Sequence, residues 1–78
     1  PITDAGLAHL AALANLEFLD LNQTSISDAG LVHLSRLTRL EELVIYLTNV
    51  TRSGAQDLQF DLPDCSIVLE TPGSWRVW

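Results

Sequence analysis

Two histidines, an aspartate and one thiol are the residues of this chain best suited to chemistry. His9 and His33 stand 24 positions apart, and Asp57 falls 24 further on. Imidazole and carboxylate together are a zinc donor set, provided every ligand comes within about 2 Å of one centre. Equal spacing instead places the three on successive copies of one helical segment, with axes roughly 10 Å apart. That is too far for one ion. The expectation is helix histidines that face solvent or are half-buried, with a His33–Asp57 contact of small value. Cys65 is the only cysteine. One thiol makes no intrachain disulfide, and no paired histidine motif accompanies it. It is expected to fill core space as a small apolar residue. Glu41 and Glu42 are adjacent on a strand pattern, so they point to opposite faces and form no acid–base pair. No glycine-rich phosphate loop, nucleophile elbow or zinc spacing occurs. The chain reads as non-catalytic, with no metal and no cofactor.

The elements that position these residues come from an internal repeat. Ile2-Thr3-Asp4-Ala5-Gly6-Leu7-Ala8-His9-Leu10 returns as Ile26-Ser27-Asp28-Ala29-Gly30-Leu31-Val32-His33-Leu34. Leu13, Leu16, Leu19 and Leu21 return as Leu37, Leu40, Leu43 and Ile45, and a weaker third copy starts at Val50-Thr51-Arg52-Ser53-Gly54. Self-similarity at a short fixed period is the mark of a solenoid. Leu16, Leu19, Leu21 and Ile26 lie at relative positions 1, 4, 6 and 11, the spacing of a leucine-rich repeat. Leu40, Leu43, Ile45 and Val50 repeat it. The chain thus resembles the leucine-rich-repeat family over roughly residues 2–70. Its I-T/S-D-A-G-L starts are similar to the cysteine-containing type and to bacterial arrays. Thr24 and Thr48 stand where those repeats hold Asn or Cys.

The expected fold is an α/β right-handed solenoid of about three strand–helix repeats, a horseshoe fragment. Helices are expected near 3–12, 27–36 and 51–60, and strands near 17–22, 41–46 and 65–69. Residues 1–70 form the repeat domain, and 71–78 a capping tail that carries Trp75 and Trp78. Thr3, Ser27 and Thr51 each precede a helical pattern as N-caps. Asp4 and Asp28 then sit in first turns, where the helix dipole favours a carboxylate. Leu7, Leu10 and Leu13 form an apolar stripe toward the strands, as do Leu31, Leu34 and Leu37. Gly6, Gly30 and Gly54 share one register inside a first turn, which predicts a close packing contact there. Allowing a one-residue shift, Leu62 and Cys65 take the places of Leu37 and Leu40. Strands ~4.8 Å apart beside wider helices bend such a stack, with the parallel sheet on the concave side and the helices on the convex side.

Alternation along the strands then names one sheet face. It carries Phe18, Asp20 and Asn22 from the first strand, Glu42, Val44 and Tyr46 from the second, and Ser66, Val68 and Glu70 from the third. Aromatic and apolar residues inside a polar rim have the composition of a binding surface. The resemblance implies a protein or peptide ligand on that concave sheet. Two alternatives stand beside it: a C-terminal cap of a longer array, and a recognition arm of a larger enzyme such as a ubiquitin ligase or kinase.

Composition narrows the partners. Net charge is −6, with four arginines, no lysine and ten carboxylates. Binding a phosphate backbone needs several cations on one surface, so nucleic acid is excluded, and a basic partner is favoured if the acidity is functional. No apolar run approaches the ~18 residues of a membrane span. No signal-peptide pattern is present; the compartment stays open with a slight lean to the cytoplasm, because Pro1 falls partway into a repeat. Leu7, Leu10 and Leu13 of the first copy are expected to present an apolar flank unless an upstream repeat or a second chain covers it, self-association being one way to do so.

Overall fold

A computed structural model of the chain describes residues 2–69. Glu70, Trp75 and Trp78, and with them the expected capping tail, lie outside those residues. The described part is a small α/β structure. Three short strands, β1 (Phe18–Asp20), β2 (Glu42–Val44) and β3 (Ser66–Val68), form a parallel sheet in the order β1-β2-β3. Each is preceded by a helical segment: α1 (Asp4–Leu10), α2 (Asp28–Leu31) and α3 (Arg52–Asp61). The register repeats the sequence period: Phe18 pairs with Glu42 and Glu42 with Ser66, while Leu19, Leu43 and Ile67 form the next row.

The strands are three residues long, about half the expected spans. Ladder-like bonds continue beyond them: Leu21 N donates to Val44 O at 2.7 Å and Gln23 N to Tyr46 O at 3.1 Å. The extended backbone ends at Gln23 and Leu47, which take left-handed φ values of 57° and 58°. Thr24 and Thr48 close each turn, their hydroxyls donating to Leu21 O and Ile45 O at 2.8 Å.

The second helical segment departs from a plain α-helix. After Leu31 it tightens into a 3-10 turn over Val32–Arg36. Residues three apart drift around an α-helix but eclipse one another in a 3-10 helix, so Leu31, Leu34 and Leu37 reach one face together, and all three are buried. Their counterparts do not repeat the pattern. Leu7 is buried, Leu10 is half-buried, and Leu13, beyond the end of α1 at Leu10, is 50% exposed. Leu13 therefore does not belong to the expected inward stripe, and Leu7 is core rather than flank.

The core runs between helices and sheet, built from Leu7, Ile26, Leu34, Leu37, Leu43 and Ile45, with Leu58, Leu62 and Cys65 closing the third layer. Cys65 stands where the shifted alignment places it. Leu40 N donates to Leu37 O at 3.0 Å, and Cys65 N to Leu62 O at 3.1 Å. Cys65 is followed directly by the strand residue Ser66, whereas Glu41 separates Leu40 from Glu42. The extra residue ahead of Leu62 is thus absorbed before the strand begins.

Candidate functional site

The sheet face begins with β1. Parallel pairing without offset puts residues two apart on one side, so Phe18, Glu42 and Ser66 form one row and Asp20, Val44 and Val68 the next. The odd row, Leu19, Leu43 and Ile67, packs against the core. Tyr46 and Asn22 extend the same side, with Asn22 Nδ2 donating to the Tyr46 hydroxyl at 3.4 Å. Phe18 is 54% exposed; Asp20, Glu42 and Ser66 are exposed; Asn22, Tyr46 and Val68 are half-buried. Val44 differs from the expected surface residue. It is buried, flanked in register by Asp20 and Val68 on the central strand, so it supports the face without contributing contact area. Glu70 falls outside the described residues.

Among the described residues, no ion pair is present at Asp20 or Glu42. Asp20 Oδ1 accepts from Asn22 Nδ2 at 2.7 Å and from Asn22 N at 3.1 Å, bonds that fix its orientation. No side-chain hydrogen bond or ion pair is present at Glu42 among the described residues. Of the described arginines, Arg36 and Arg39 lie on the 3-10 turn and the loop after it, and Arg52 opens α3; none is on a strand. Two shallow depressions lie off the sheet face, one between α3 and β3 lined by Arg52, Ala55, Gln59 and Ile67, the other at residues 12–16.

A second arrangement was not anticipated. The Asp4 carboxylate accepts from Ser27 N at 2.8 Å and from the Ser27 hydroxyl at 2.6 Å. Asp28 does the same with Thr51, at 2.8 and 2.6 Å. Each aspartate therefore brackets the start of the next helical segment in addition to sitting in its own first turn. The expected caps are corrected accordingly. Thr3 and Ser27 make no side-chain cap bond; the Ser27 hydroxyl donates to Asp4, while Gly30 N donates to the Ser27 carbonyl at 3.0 Å. Thr51 does both, accepting from Gly54 N at 3.1 Å. The glycine column makes room for the bracket. A Cβ on Gly30 would strike the Asp4 carboxylate and Leu7, and one on Gly54 would strike the Asp28 carboxylate, whereas one on Gly6 would meet only Ile2 at 3.9 Å. The bond from Ser27, first through its hydroxyl and then through its N–H, lowers the Asp4 pKa. The signal was in the sequence: Asp, a hydroxyl residue and Gly recur at fixed spacing, and only their mutual contact was unread.

His9 and Asp57 are exposed and His33 half-buried. Among the described residues no group of three His, Cys, Asp or Glu could hold a metal ion. Cys65 is buried, and desolvation, then the charge of Glu42, raises its thiol pKa, which opposes thiolate formation. Among the described residues no helix is long and apolar enough to cross a membrane. No protein-family model matches the chain, and a comparison with curated proteins finds no match.

Proposed function

We propose that this chain is a leucine-rich-repeat interaction module, non-catalytic, whose sheet face binds a protein or peptide. The observation that carries the reading is the exposure of Phe18 at one end of a continuous, in-register face that carries Tyr46 toward its other end. A large apolar side chain left in water costs hydration free energy that a partner recovers by covering it. Three adjacent parallel strands offer a continuous face that suits an extended segment better than a small molecule, which needs a pocket. On this reading the 24-residue period stacks strand on strand as a solenoid, and the sheet is its concave side.

The test is selection of displayed peptides on the folded chain, with the selected peptides then measured by fluorescence anisotropy. Binding that is lost in the Phe18→Ala/Tyr46→Ala double variant, with circular dichroism unchanged, supports the module. Selected peptides that bind that variant as well as the parent would sink it.

One observation favours a second reading, a structural cap. The column occupied by Asp4 and Asp28 holds Arg52 in the third copy. Arginine has no acceptor, so it cannot bracket a following turn as the aspartates do. A cap predicts that Phe18 and Tyr46 are dispensable for binding, and the same double variant separates the two readings.

A further inference from the structure

We propose that the segment bound by the sheet face presents an arginine, stacked on Phe18 and paired with Asp20 and Glu42; this rests on the sheet-face reading above. Phe18 has two nearest neighbours on its side of the sheet. Asp20 lies two residues along the same strand, roughly 6.6 Å away, and Glu42 lies directly across, about 4.8 Å away. Both carboxylates thus flank one exposed ring at distances a single side chain spans. Asp20 Oδ1 is held by both Asn22 donors, which leaves Oδ2 without a protein partner among the described residues. Glu42 has no side-chain partner there either. Among the described residues the face therefore carries two negative charges beside an aromatic surface, and no strand carries an arginine.

A guanidinium fits that combination better than an ammonium. It is planar, stacks on an aromatic face, and offers a fork of donors to carboxylates. An ammonium satisfies one carboxylate as a point charge but does not cover the ring. Backbone polar groups of an extended partner leave alternate side chains facing the sheet, so one arginine reaches Phe18 while its neighbours lie along Tyr46 and Val68. The absence of lysine and the net charge of −6 add a field that draws a cationic segment in.

The experiment uses fluorescein-labelled nonapeptides of alternating Arg and Thr, with Lys-for-Arg and Gln-for-Arg counterparts, titrated by anisotropy. The arginine peptide is expected to bind more tightly than the lysine peptide, and the glutamine peptide more weakly than either. Asp20→Asn/Glu42→Gln should weaken the arginine peptide about tenfold, and Phe18→Leu severalfold, because leucine keeps bulk but loses the ring. Asp57→Asn/Asp61→Asn removes the same charge from α3 and should change binding less than about twofold. Equal weakening by the two charge-removing pairs would mean net charge alone attracts the peptide and would overturn the proposal. Failure of the arginine peptide to bind would overturn it too. In either case, display-selected uncharged peptides that still depend on Phe18 would leave the sheet-face reading standing, and peptides indifferent to Phe18 would end both.

Discussion

At the scale of single residues, the aspartate bracket is the interaction that ties one copy to the next, and it makes opposite predictions at equivalent glycines. Gly30→Ala puts a methyl into the Asp4 carboxylate and Leu7, so stability should fall by about 1–3 kcal/mol as the site repacks. Gly6→Ala meets only Ile2 at an ordinary 3.9 Å, and replacing a helical glycine should raise stability by up to about 1 kcal/mol. Urea denaturation of the two variants reads both signs; equal effects would mean the glycine column answers to propensity and not to the bracket. The carboxylate also sets an acid dependence. Asp4 titrates below its ordinary value of 3.8 when folded, chiefly because the Ser27 hydroxyl and then its N–H donate to it. A lowered folded pKa contributes stability that is complete above the unfolded value and is lost as pH falls through the folded one. Ser27→Ala removes the larger of those causes. NMR titration should then show the Asp4 pKa moving up toward its ordinary value, and the parent's advantage over the variant should shrink below about pH 4. An Asp4 pKa indifferent to Ser27 would refute this assignment. The sequence displays every member of the bracket but not their contact, because sequence spacing shows neighbours along one segment and not those from the segment beside it.

At the scale of elements, the period placed the three strands and the order of the helical segments, since apolar spacing alone fixes which rows face inward. Lengths were less legible. Strand ends depend on the left-handed residues Gln23 and Leu47, neither of which is a glycine that would announce a turn. The 3-10 turn of Val32–Arg36 could not be read from leucine spacing, because the same spacing at Leu7 and Leu10 lies on an α-helix. Val44 shows the same limit on the candidate site: alternation assigned it to the correct face, but burial depends on flanking residues of two other strands. Leu47 offers a direct check on the turn. A branched apolar residue with φ of 58° and largely exposed carries backbone strain and little packing in return. Leu47→Asn, a residue that tolerates this region, should raise stability by roughly 0.5–1 kcal/mol. Leu47→Pro fixes φ near −65° and should lower the thermal midpoint sharply. A neutral Pro variant would show that the turn does not hold this conformation in solution.

At the scale of the whole molecule, the same columns are buried differently in successive copies. Leu34, Leu37, Leu40 and Leu43 are all at most 3% exposed, whereas Leu13 is 50% exposed and Leu10, Leu16 and Leu19 are only half-buried. The side chains and registers match, so the difference comes from how each helical segment ends and from what packs beside it. On the solenoid reading proposed above, stability is close to a sum of nearest-neighbour terms, so one more layer should complete the first copy. A 24-residue copy of residues 26–49 placed directly ahead of Ile2 preserves the register, because Ile2 and Val50 share a column. That chain should melt at least about 5 °C higher than the parent. It should also bring an aspartate to Thr3, as Asp28 comes to Thr51. Gly6→Ala then becomes the decisive variant. It is expected to be neutral or stabilising in the parent and destabilising in the extended chain, where its methyl meets the new carboxylate as one on Gly54 meets Asp28. A sign that reverses with an added layer follows only if the copies stack one on another through the bracket; an unchanged sign, or an unchanged melting point, would mean that the period builds the sheet without making it extensible.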